Sequence, residues 1–99
     1  MAPPKPVATI DCAQARTLEA FWRAYVDAAR PTGADLFGRN LDAFWDAVEH
    51  PGTGWPGEVQ LVFTNTAALA GLRTAGGGSL LDGLRRIAAE ATRIAVRLA

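Results

Sequence analysis

The feature that most restricts the fold is the spacing of three short apolar runs: VATI at 7–10, VQLVFT at 59–64 and the closing TRIAVRL at 92–98. Each reads as a strand, being rich in β-branched residues or alternating apolar with polar positions, as Ile94, Val96 and Leu98 do in the last run. The intervals between them are too long for hairpin turns and carry helical patterning. Strands joined through helices pair in parallel, with right-handed crossovers. The expected class is therefore α/β: a three-stranded parallel sheet packed with about four helices, in a single domain over 1–99. A chain of 99 residues suits one core, whereas two would each bury too little apolar surface. The proline-rich start cannot be helical, and residues 1–6 are expected to be flexible.

The first interval holds two helices. Thr17 offers a hydroxyl as N-cap, and Leu18, Phe21, Trp22, Tyr25, Val26 and Ala29 recur at helical spacing until Pro31 and Gly33 end the run. A second helix is predicted from Asn40, also a good cap, to near His50, before Pro51. At about 100° per residue, Leu41, Phe44, Trp45 and Val48 form its apolar stripe, while Asp42, Asp46 and Glu49 share a face whose border with the core is Trp45. The stretch PGTGWPG at 51–57 is turn chemistry around Trp55. In the second interval Asn65 or Thr66 caps a short alanine-rich helix to about Arg73, broken by AGGG at 75–78. Ser79 then caps a fourth helix, with Leu80, Leu81, Leu84, Ile87, Ala88 and Ala91 inward and Arg85, Arg86 and Glu90 outward.

Ten basic and ten acidic side chains cancel, which argues against a general nucleic-acid binder. Their distribution is uneven. From Asp35 to Glu58 five acids stand against one arginine, Arg39, so that stretch carries −4 and the remainder of the chain +4. Such a field attracts a basic partner. The opening MAPPKPVATIDC has neither a long apolar run nor a cleavage-like site, so no signal peptide and no membrane span are read, and a cytoplasmic protein is expected. The lone Cys12 cannot form an intrachain disulfide, which suits the same compartment.

Several chemical readings fall away. The run Gly76 to Ser79 before a helix resembles an anion-binding turn, but a helix precedes it and no lysine follows. His50 is the single histidine, which excludes a histidine-based metal cluster or a Ser-His-Asp triad within one molecule. Cys12 reads as a buried structural thiol, and the arginines at 85, 86, 93 and 97 as solvated surface. What stands out is the pair Asp42 and Asp46, four residues apart, where like charges cost a few tenths of a kcal/mol in a helix. The helix dipole favours Asp42 in the first turn but does not reach Asp46. A carboxylate pair for Mg²⁺ or acid–base work would need a third ligand that the pattern does not supply. On the residues alone, a solvated acidic helix and a partner surface flanked by Trp45 and Trp55 both account for the pair.

The segment FGRNLDAFWD followed by GW resembles the second helix and following loop of the barstar family, intracellular protein inhibitors of barnase-type secreted ribonucleases. The likeness runs from about Val7 to Leu98, with SLLDGLRRIAAEA in the place of the family's fourth helix. The resemblance implies that Asp46 enters a ribonuclease active site in place of an RNA phosphate and that Asp42 pairs with another basic group there. It also implies that Gly38 and Asn40 lie on the enzyme with Trp45 and Trp55 at or near the contact. The docking surface so implied comprises Leu36, Phe37, Gly38, Arg39, Asn40, Asp42, Ala43, Trp45, Asp46, Gly54, Trp55 and Glu90. Leu36 stands where the family has a tyrosine, and Arg39 and Arg86 replace glutamates, which suggests a target other than barnase itself. The expected partner is a microbial guanyl-type ribonuclease or a ribonuclease toxin domain, bound by a protein that is monomeric when free. The alternative is a module of the same fold that binds a non-nuclease protein. No catalytic residue, cofactor, metal, direct nucleic-acid contact or membrane contact is expected.

Overall fold

The computed structural model describes residues 5–99. Strands β1 (Val7–Asp11), β2 (Gln60–Thr64) and β3 (Val96–Leu98) form one parallel sheet in the order β1-β2-β3. Ile10 lies beside Phe63, and Leu61 beside Val96, so alternation along each strand gathers these residues on one buried face. Val7, Thr9, Asp11 and Arg97 project from the opposite face and are exposed. The sheet is thus covered on one side only, unlike most parallel sheets.

Helices α1 (Leu18–Ala29), α2 (Leu41–Glu49) and α3 (Leu80–Glu90) supply the cover. Thr17 caps α1 by accepting from the Ala20 N–H at 3.0 Å, Asn40 caps α2 by accepting from Ala43, and Ser79 caps α3 by accepting from Asp82 at 3.2 Å. Phe21 of α1 and Phe44 of α2 lie against Phe63 of the sheet, with ring centres 5.7 and 5.9 Å away, and Trp22, Tyr25 and Phe37 extend this aromatic cluster. Leu80, Leu84 and Ile87 of α3 complete the same core.

The predicted three-stranded parallel α/β arrangement is the observed one, with three α-helices rather than about four. After β2 the chain makes only a 3₁₀ turn, Thr66–Leu69. Helix nucleation is unfavourable and a short run repays it only by burying a face. Here Leu69 alone is buried, and Gly71 follows within two residues. Asn65 does not cap that turn. It adopts a left-handed backbone at φ 55° and donates its side-chain amide to Asp11 at 2.9 Å, tying the ends of β1 and β2. The third strand is shorter than expected, since Ile94 is buried ahead of it and outside the ladder. Of the start expected to be flexible, residues 1–4 lie outside the described residues. The Pro6 carbonyl accepts from Gln60 at 2.8 Å, and Lys5 sits 3.4 Å from Glu58.

Candidate functional site

Helix α2 is the element on which the charged pair sits, and its orientation follows from which residues bury. Phe44, Ala47 and Val48 are fully buried, while Leu41 and Trp45 are partly so. The buried face therefore centres on Phe44 and takes in Ala47, which hydropathy reading left out of the stripe. Leu41 and Trp45 become its edge. Asp42 and Asp46 fall on the opposite side and are exposed. Burying Phe44 contributes about 1.5–3 kcal/mol, several times the few tenths that the aspartate repulsion costs, so packing dictates the exposure of both charges. Among the described residues no lysine or arginine lies within 4.0 Å of either carboxylate, and the nearest basic group is the His50 imidazole, 4.0 Å from Asp46.

The chain entering α2 is built as a rigid lead-in. Gly33 takes a left-handed backbone and starts a single 3₁₀ turn, Ala34–Leu36, which leaves the Leu36 side chain 79% exposed. Phe37 turns inward to 5% exposure, between Trp22 and Tyr25. Gly38 and Arg39 are exposed, the latter at φ 51°. Asn40 uses both ends of its amide: its oxygen accepts from Ala43 at 2.8 Å and its NH₂ donates to the Gly38 carbonyl at 3.2 Å. Ala43 is partly buried, and a Cβ placed on Gly38 would stand 3.1 Å from it.

The loop after α2 is laced to the same lead-in. Thr32 donates to the Trp55 carbonyl at 2.9 Å, Gly54 donates to the Thr32 carbonyl at 2.6 Å, and the Tyr25 hydroxyl donates to the Gly54 carbonyl at 3.0 Å. Gly54 is buried at φ 86°, and a Cβ there would meet the Phe37 ring at 2.7 Å and Ala47 at 3.0 Å. Trp55 is partly buried, with the Arg93 guanidinium 5.8 Å from its ring centre, so that arginine is engaged rather than simply solvated. Of the twelve residues expected on the docking surface, Phe37 and Gly54 thus hold their side-chain positions in the core and support the surface from beneath. Leu36, Gly38, Arg39, Asn40, Asp42, Asp46 and Glu90 are exposed, and Ala43, Trp45 and Trp55 are partly so.

Between α2 and α3 runs an open groove of about 300 Å³, lined by Leu41, Asp42, Trp45, Gly83, Arg86, Ile87 and Glu90. Gly83 lies inside α3, where glycine costs about 1 kcal/mol of helix propensity. The Leu41 side chain occupies the space its Cβ would take. Arg86 and Glu90 pair along α3 at 3.5 Å on the far wall.

Glu49 departs from the expected acidic face. Its carboxylate turns toward the segment after α3, accepting from the Thr92 N–H at 2.6 Å, the Thr92 hydroxyl at 2.7 Å and the Arg93 N–H at 3.3 Å. The Thr92 backbone bond above all, then its hydroxyl, holds the Glu49 carboxyl below the usual glutamate range. No spacing in the sequence announces this pairing, because the partners lie 43 positions apart. Elsewhere, Cys12 is fully buried, and burial, with the Asp11 charge beside it, pushes its thiol up to about 11, the mark of an inert structural cysteine.

The architecture is an α/β fold in which a parallel sheet is faced on one side by three helices, and the short helix α2 leaves the Asp42 and Asp46 carboxylates exposed. The chain belongs to the barstar family: the family model described as Barstar (barnase inhibitor) matches residues 5–99, nearly its whole length. A search of curated proteins returns no match.

Proposed function

We propose that this protein inhibits a microbial guanyl-type ribonuclease, or a ribonuclease toxin domain, by lodging α2 in its active site, and that it does so in the cytoplasm of the cell that makes the enzyme. Asp42 and Asp46 would take the place of an RNA phosphate among the basic groups that such an enzyme must hold around its substrate. The observation that carries this reading is that both carboxylates are exposed on a packed helix with no lysine or arginine among the described residues within 4.0 Å. An arginine-rich site can then take them in charge-assisted, bidentate contacts, which are among the stronger hydrogen bonds proteins make. The partly buried Trp45, which lines the groove with Asp42, and the largely exposed Leu36, in the turn ahead of the acidic helix, would supply apolar contact.

Inhibition of RNA cleavage is the direct test. The protein at micromolar concentration is expected to block at least one enzyme of that class, and failure against all of them would defeat the reading. Asp46→Ala is expected to weaken the complex by at least about 2 kcal/mol, the range of interface hot spots, while leaving the free protein's stability within about 0.5 kcal/mol. A loss below about 1 kcal/mol would remove Asp46 from that role.

A second reading keeps the fold and changes the partner. Arg39 and Arg86 are exposed, Arg86 across the groove from Asp42, which suits a partner of mixed charge that is not a nuclease. Capture from the producing cell of a non-nuclease protein whose binding is lost on Asp46→Ala would favour it.

A further inference from the structure

We infer that Glu49 is a positioning residue: by bridging the end of α2 to Thr92 and Arg93 it fixes the direction in which Asp46 is presented. This inference rests on the reading of α2 as the docking helix. Helix α2 has nine residues, too few to hold its shape without tertiary support. The loop beyond it is tied back to the lead-in through Thr32 and Tyr25, which leaves the side of α2 that faces α3 to be held by other contacts.

Two attachments to α3 and its exit hold the axis of α2 on that side. At the first turn Leu41 sits on the bare backbone of Gly83. At the last residue Glu49 reaches the N–H groups of Thr92 and Arg93, which stand past the end of α3 and before β3. Leu41 and Glu49 are about 12 Å apart along the helix at 1.5 Å per residue, a long base for setting an angle. Phe44, Ala47 and Val48 set the depth of the helix, but greasy contacts tolerate sliding and rotation that directional bonds to a carboxylate do not. Asp46 lies within one turn of the Glu49 end, whereas Asp42 lies at the Leu41 end beside the Asn40 cap. Loss of the bridge should accordingly disturb Asp46 far more than Asp42.

The experiment has two arms. Amide exchange of the free protein is measured for the wild type and for Glu49→Ala, Thr92→Val and Thr92→Ser. Removing a hydrogen-bonded carboxylate is expected to speed exchange at Thr92, Arg93 and the last turn of α2 by about tenfold or more. Thr92→Val should give a smaller increase, and Thr92→Ser, which keeps the hydroxyl, should match the wild type. Unchanged exchange in both Glu49→Ala and Thr92→Val would overturn the proposal, and Thr92→Val remains informative should Glu49→Ala not fold. In the second arm, inhibition of a guanyl-type ribonuclease sensitive to the wild type is expected to weaken about three- to thirtyfold in Glu49→Ala, the scale of effects transmitted without ligand contact. Thr92→Val, which leaves the Glu49 charge in place, should weaken it too, and Thr92→Ser should restore it. A double-mutant cycle should couple Glu49 to Asp46 and leave it additive with Asp42. Loss in Glu49→Ala alone would mean direct contact with the enzyme and overturn the positioning role. Should the wild type inhibit no ribonuclease, the functional reading fails, and the bridge stands or falls on the exchange arm.

Discussion

At the scale of single residues, glycine and asparagine do work that their side-chain chemistry alone would not suggest. Gly54 is enclosed between Phe37 and Ala47 and takes φ 86°, so any side chain there meets both a strained backbone and a closed space. Gly54→Ala is expected to destabilise the protein by about 2–6 kcal/mol, read from urea unfolding, since left-handed strain and overpacking each cost about 1–3 kcal/mol. A stability unchanged within error would show that the loop repacks freely. The glycine-rich turn was legible in the sequence, but the requirement for glycine at 54 was not, because the Phe37 ring and Ala47 reach it only after folding. Asn40 shows the reverse case. Its role as N-cap follows from local chemistry, and the structure supplies that bond at 2.8 Å.

At the scale of elements, α2 carries a field as well as a shape. Asp42 and Asp46 project from one side of it, with Arg86 and Glu90 on the far wall of the groove that Asp42 lines. Association with a basic enzyme is expected to slow by roughly tenfold between about 10 mM and 1 M salt, as the Debye length contracts from about 30 Å to about 3 Å. Dissociation should change less, since contacts formed at close range are screened less. Stopped-flow fluorescence of the tryptophans would measure both rates, and an association rate indifferent to salt would argue that the aspartates do not steer encounter. The helical wheel placed Asp42 and Asp46 together on one face, as the structure has them, because the period of a helix is a local property. It also placed Glu49 with them, and there it failed. Glu49 sits at the edge of the packed face, and an edge residue is claimed by whatever the neighbouring segment offers, here two backbone N–H groups and a hydroxyl.

At the scale of the whole molecule, two carboxylates stitch segments distant in sequence. Asp11 accepts from Asn65 and from the Ala13 N–H, with the Asn65 bond the larger cause of its lowered pKa, and Glu49 accepts from Thr92 and Arg93. Each carboxyl titrates lower in the folded than in the unfolded chain, so the unfolded state binds protons first as pH falls. Their stabilisation is then fully present above the ordinary carboxylate range, at about pH 5 and higher, and is lost as pH drops through the lower folded values. The urea midpoint is expected to fall below about pH 4.5, with Glu49→Gln and Asp11→Asn each flattening that fall; a variant profile parallel to the wild type would exclude its carboxyl from the effect. The sequence by itself determined the class of fold, the three strands, the caps at Thr17, Asn40 and Ser79, and the shared face of the two aspartates, all consequences of spacing and local hydrogen bonding. Tertiary structure alone decided that the alanine-rich segment closes as a 3₁₀ turn, that Phe37 and Gly54 lie beneath the acidic surface, and that Glu49 leaves its helix neighbours for Thr92. Those outcomes depend on which groups meet across the core, and contacts between residues far apart in the chain leave no period in the sequence to read.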